Sequence, residues 1–137
     1  MNSALRIQLT SSVFPRLFEV PFQHQRDLDR AEALFRQAIA IPPDQLEAHQ
    51  NLANVLRARG NLGEAVEQDE KAIQILLARP RNLQGPLVSA YIAAGQDLLD
   101  AERLSEARDH FREALKLKSD RADAQKGLRT VEEKLKT

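Results

Sequence analysis

Three stretches of this chain lie over one another without a gap: DLDRAEALFRQAIAI, NLGEAVEQDEKAIQI and RLSEARDHFREALKL. Each has a leucine, an alanine three residues on, and a second alanine seven further. The leucines are Leu28, Leu62 and Leu104; the alanines are Ala31, Ala65 and Ala107, then Ala38, Ala72 and Ala114. Ala31 to Ala65 is 34 residues and Ala65 to Ala107 is 42, while Ala94 and Leu128 again stand 34 apart. A period near 34 predicts a stack of helix pairs, each unable to bury its apolar face alone. Within each stretch the apolar residues recur at helical spacing: Ala31, Phe35, Ala38 and Ile39 in the first, Ala107, Phe111, Ala114 and Leu115 in the last. Small residues at fixed positions let two helices approach, and the large one between them fills the groove.

Each such helix needs a partner. LEAHQNLANVLRARG supplies one, with Ala48, Leu52, Val55 and Leu56 on its stripe and Gly60 as its C-terminal stop. PLVSAYIAAGQDLLDAE supplies the next, with Pro86 suited to a first turn and Tyr91, Ala94 and Leu98 on the stripe. The excess of eight residues in the second interval falls wholly between Ile75 and Tyr91. AIQILLAR continues the helical pattern, and Pro80, Gly85 and Pro86 end it. This predicts a second helix lengthened by about a turn, then an extended loop, then a helix from Pro86. A surface insertion of this kind costs little; the sharper reading makes it a lip, marked by Arg79 and Arg81, that touches a partner.

The recurring pattern resembles the tetratricopeptide repeat. The middle repeat carries Leu52-Ala53, Leu56, Gly60, Glu64-Ala65 and Ala72; the next carries Tyr91, Ala94-Gly95, Leu98, Glu106-Ala107, Phe111 and Ala114; the first carries Ala31, Phe35, Ala38 and Pro43. HQNLANVLRARGNLGEA is similar to repeats of sugar-transferring enzymes of the O-linked N-acetylglucosamine type. The resemblance implies an all-α fold, a right-handed superhelical array of antiparallel helix pairs with about three repeats and a C-terminal capping helix. The implied organisation is an irregular N-terminal segment, 1–26, then the array, 27–137. Within the array, 27–43 is the second helix of the first repeat, 46–79 the middle repeat, 80–87 the insertion loop, 88–119 the next repeat and 122–136 the capping helix.

Residues 12–26 occupy the place of a first helix, with Phe18 and Phe22 at core positions, but Pro15 and Pro21 interrupt a regular one. Leu5, Ile7 and Leu9 alternate with Arg6 and Gln8, as in a short extended segment. Asp69 stands where Phe35 and Phe111 stand in the flanking repeats, and is expected either to find a partner or to face water. The closing EEKLKT gives the last helix a polar outer face, as a terminal cap needs, so a complete array is expected.

The length allows one domain with a modest core. Lys+Arg and Asp+Glu are both 20, and a neutral chain lacks the long-range field that nucleic-acid binding uses. There is no cysteine, which removes disulfides, thiolate chemistry and sulfur-based zinc sites. No run is apolar enough to span a bilayer. The N-terminus has no solid apolar block, and its arginines without an acid before Glu19 resemble a transit peptide only faintly. A cytoplasmic location is the expectation, import into an organelle aside.

His24, His49 and His110 are too far apart for a local metal pair, and His49 falls in a slot that packs between helices. The five glycines are scattered and form no phosphate loop. No catalytic residue, cofactor or metal is therefore expected, and no enzyme activity.

What remains is surface. By the resemblance, the first helices of successive pairs line a concave groove that takes an extended peptide or a partner helix. Its positions map to Glu47, Gln50, Asn51, Asn54 and Arg57, then Ser89, Ile92 and Gln96, then Lys126 and Thr130. Amides suit a peptide backbone because each both donates and accepts. A carboxylate clamp of the family's kind is only half present, with Asn54 and Arg57 but Gln50 where a lysine belongs. The asparagine row of the sugar-transferase type stops at Asn51, followed by Ala93 and Gly127. The reading is an adaptor or assembly scaffold that binds protein. The alternatives are an accessory module of a larger enzyme, such as a glycosyltransferase, and a scaffold that self-associates through its N-terminal end, where the first clear helix lacks a regular partner.

Overall fold

A computed structural model describes residues 22–40 and 45–137. Among them are six α-helices: α1 (Phe22–Ile39), α2 (Leu46–Ala58), α3 (Leu62–Leu77), α4 (Leu87–Asp100), α5 (Leu104–Leu117) and α6 (Ala122–Leu135). One 3-10 turn, Arg81–Leu83, lies between α3 and α4. The all-α expectation holds among the described residues. By their contacts the described residues fall into two compact units, one up to Gln68 and one from Asp69.

In the first unit α1 packs on α2. Leu28 and Ala31 meet Val55 and Ala58, and Leu52, Leu56 and Ala65 form a second cluster. Phe35 packs against both clusters and Ile39 against the second, so Ala31, Phe35 and Ile39 of the stripe face the interior, while Ala38 is exposed. His49 takes the interior place its slot predicted. It is buried, and its Nδ1 lies 2.6 Å from Oε1 of Gln68, also buried. The amide oxygen accepts, so Nδ1 carries the proton in this pairing.

In the second unit α4, α5 and α6 pack on one another. Phe111 of α5 is fully buried, with its ring against Gly95 of α4 and Gly127 of α6. A Cβ on Gly95 would stand 3.0 Å from Cε1 and Cζ of Phe111, and one on Gly127 would overlap the ring outright. Ala94, Ala107, Ala114, Ala124 and Val131 are fully buried in the same unit, together with the large Leu98.

The helix ends repeat as well. After α2, Gly60 has φ +79, its N–H bonds Arg57 O at 2.9 Å, and the N–H of Asn61 reaches back to Leu56 O at 2.8 Å. This double bond pattern closes the last turn through a left-handed residue. After α4 the same bonds recur, from Glu102 to Leu99 O at 3.0 Å and from Arg103 to Leu98 O at 2.8 Å. Here the left-handed residue is Glu102, φ 62, in the place Gly60 holds one repeat earlier.

Three expected boundaries move. Helix α1 begins at Phe22, inside the stretch read as irregular. The rest of 1–26, with Phe18 and the alternating Leu5, Ile7 and Leu9, lies outside the described residues, as does Pro43. Helix α3 has 16 residues against 14 in α5, which starts at the equivalent leucine, so the lengthening is about half a turn rather than a turn. The insertion is not extended: Pro80 leads into the 3-10 turn, and α4 starts at Leu87 with Pro86 as its N-cap. Asp69 is buried and engaged with a partner, so the solvated alternative falls.

Candidate functional site

Helix α2 separates cleanly into two faces. His49, Leu52, Ala53, Val55, Leu56 and Ala58 are buried. Gln50, Asn51, Asn54 and Arg57 are half-buried, and Glu47 is exposed. Positions 50, 54 and 57 follow one another at helical i, i+4, i+7 spacing, and 51 stands three before 54, so the four share one face. Arg57 Nη1 donates to Asn54 Oδ1 at 2.9 Å. With that oxygen accepting, the Asn54 amide turns its N–H groups outward as donors, and the arginine is held along the helix. The row therefore offers amide donors and acceptors beside one fixed cation. That is the chemistry that pairs with a peptide backbone and an acidic or carbonyl-bearing side chain.

In the second unit Ser89 and Gln96 are exposed on α4, and Lys126 is exposed on α6. Thr130 is half-buried and its Oγ1 donates to Lys126 O at 3.0 Å, so its hydroxyl is turned back on its own helix. Ile92 does not belong with them. It is 5 % exposed and forms part of the interior of α4, together with Ala90, Ala94, Gly95 and Leu98. Helix α4 is the most apolar of the six and is covered on more than one side, which a one-face pattern did not anticipate. Sequence reading also passed over Asp97, next to Gln96, which is buried with a partner of its own. A lone acid in the apolar run YIAAGQDLL was the available signal.

A second polar cluster has no counterpart in the sequence reading. His110 of α5 lies with Nε2 2.7 Å from Glu70 Oε2 and Nδ1 2.9 Å from the Glu106 carbonyl. Both ring nitrogens face acceptors, so both bonds form only when the ring carries two protons. Burial opposes the charge, but the Glu70 hydrogen bond, the Glu106 carbonyl and the charges of Glu70 and Asp109 outweigh it, and the imidazole is held above its ordinary value of 6.5. The Tyr91 ring meets His110 edge-on at 5.8 Å between centroids. Burial, with the nearby Glu113 and Glu70, raises the phenol above its ordinary range. No substrate-sized chemistry follows from this group; it fastens α5 to the stretch of α3 that bears Glu70.

Among the described residues no group of three His, Cys, Asp or Glu could hold a metal ion, and no helix is long and apolar enough to cross a membrane. The family model described as tetratricopeptide repeat matches residues 44–120, more than half of the chain and the stretch that holds α2 through α5. No curated protein matches the chain.

Proposed function

We propose that this chain, which belongs to the tetratricopeptide repeat family, is an adaptor or assembly scaffold that binds an extended peptide or a helix of another protein on the polar row of α2. Repeats of this family generally mediate protein–protein interaction and are typically non-catalytic. The observation that carries the reading is the division of α2: one side buried, the other a row of Gln50, Asn51, Asn54 and Arg57 with Asn54 and Arg57 already hydrogen-bonded. A side chain fixed before binding loses less entropy when the partner arrives. On the second unit the exposed polar positions are Ser89, Gln96 and Lys126, and they are the candidates for further contacts there. Ile92 is withdrawn from the set because it is buried.

The test compares wild type with Asn54→Ala, Arg57→Ala as bait under matched conditions, with thermal unfolding of both recorded first. Both side chains are partly exposed, so the variant should fold. The expected result is a set of proteins retained by wild type and depleted about tenfold or more from the variant, the size of effect an interface centre gives. An unchanged set of retained proteins would place the binding surface elsewhere.

A further inference from the structure

We infer that the insertion between α3 and α4 is a second interaction surface, a preformed basic and apolar lip that takes an acidic amphipathic segment of another protein. The surface is separate from the α2 row and does not rest on it.

The repeat period does not need this insertion, yet it is built to hold a shape. Gln84 Nε2 donates to Leu77 O at 3.1 Å and to Arg79 O at 3.0 Å, which satisfies two carbonyls at the end of α3 and folds the far side of the loop back on it. Leu83 N–H bonds Pro80 O at 2.8 Å and Leu87 N–H bonds Gln84 O at 2.9 Å. Pro80 and Pro86 restrict the chain at either side of the 3-10 turn. Such a segment has little entropy left to lose on binding.

The lip also exposes two large apolar side chains. Leu77 is 48 % and Leu83 54 % accessible, two of the five large apolar side chains left exposed among the described residues. Gln84, the neighbour of Leu83, bonds the carbonyl of Leu77 itself, which ties the chain segments that bear the two leucines together. The lip's own stretch of chain carries no acid. The chain has 20 acidic residues, but none between Glu70 and Asp97, while Lys71, Arg79 and Arg81 fall within that stretch. Arg81 is exposed on the turn itself. Exposed leucines beside the exposed Arg81 in an acid-free stretch fit a partner helix or strand that alternates leucine-like and carboxylate side chains: apolar contact supplies affinity and charge sets the choice of partner.

The probe is a fluorescein-labelled synthetic peptide with leucines at i, i+4 spacing flanked by glutamates, titrated with the full chain and followed by anisotropy. Saturable binding is expected, weakened by added salt and weakened about tenfold or more by Arg81→Glu with Leu83→Ser. Arg81→Glu alone, a change at an exposed residue, keeps the test sound should the double variant unfold. Asn54→Ala, Arg57→Ala should bind the probe as wild type does, so failure of this surface and failure of the α2 row are told apart. The proposal is overturned if the probe does not bind, if Arg81→Glu leaves its affinity unchanged, or if a leucine-free polyglutamate peptide or a lysine-for-glutamate version binds equally well.

Discussion

Phe111 shows what one side chain requires of its surroundings. Its ring occupies the space a Cβ would take on Gly127 and nearly that on Gly95. Gly127→Ala gains about 1 kcal/mol of helix propensity but must push a fully buried ring aside, and overpacking typically costs about 1–3 kcal/mol. A net destabilisation of up to about 2 kcal/mol is expected, read as a lower Tm by differential scanning calorimetry; Gly95→Ala should lose less. His110 is the other residue with a readable signature. Its folded value is raised above 6.5, so its contribution to stability is fully present below that pH and is lost as pH rises through the folded value. Wild type should therefore lose stability as pH rises above 6.5, and His110→Gln should flatten that part of the urea-midpoint profile. The Tyr91 contribution cannot mimic this, because it is lost only above 10. An identical profile in the variant would show that the ring is not charged in the fold.

At the scale of elements, the two Schellman ends make a comparison within one molecule. Gly60 takes its positive φ without strain, whereas Glu102 carries a Cβ in the same conformation. A non-glycine residue in that region costs about 1–2 kcal/mol, part of which is returned because glycine orders from a looser unfolded chain. Glu102→Gly is expected to stabilise by about 0.5–1 kcal/mol in chemical denaturation, even though it gives up the long ion pair with Lys134 at 3.9 Å. That pair is exposed and worth little. Conversely Gly60→Ala should destabilise by a similar amount, since the space around Gly60 is open and only the backbone angle objects. The ion pairs around α1, where Arg36 meets Glu32 and Glu64 and Arg59 meets Asp29 and Glu32, are likewise exposed. They set the register of α1 against its neighbours more than they stabilise it.

For the whole molecule the question is whether it acts alone. Among the described residues of α1, Leu34 is the one large apolar side chain left exposed, at 49 %. Single exposed leucines are ordinary on monomer surfaces, and a patch of several hundred Å² is needed to mark an interface. Light scattering coupled to size exclusion should thus give a monomer near 15.4 kDa across a concentration series. A concentration-dependent dimer lost in Leu34→Glu would restore self-association through the N-terminal end as the better reading. The neutral net charge adds that association with another protein should depend on local charge, such as the lip, rather than on a field from the entire chain.

The sequence by itself determined what is local. Helix periodicity, the Gly60 stop and the polar row of α2 follow from residues within a turn or two of one another, and so do the buried alanines Ala31, Ala65, Ala72, Ala107 and Ala114, while Ala38, placed on the same stripe, is exposed. The family, too, was legible, because a pattern that recurs in register is far more specific than any one copy. Tertiary structure decided what depends on residues distant in the chain. Ile92 looked like a surface position by its place on one face of α4, but packing covers that helix on more than one side. His110 and Glu70 are forty residues apart, and no pattern in either stretch announces their pairing. The shape of the insertion depends in part on Gln84, whose two side-chain hydrogen bonds tie the loop back to Leu77 and Arg79. Spacing reports which face a residue lies on; only the packed chain reports what covers that face.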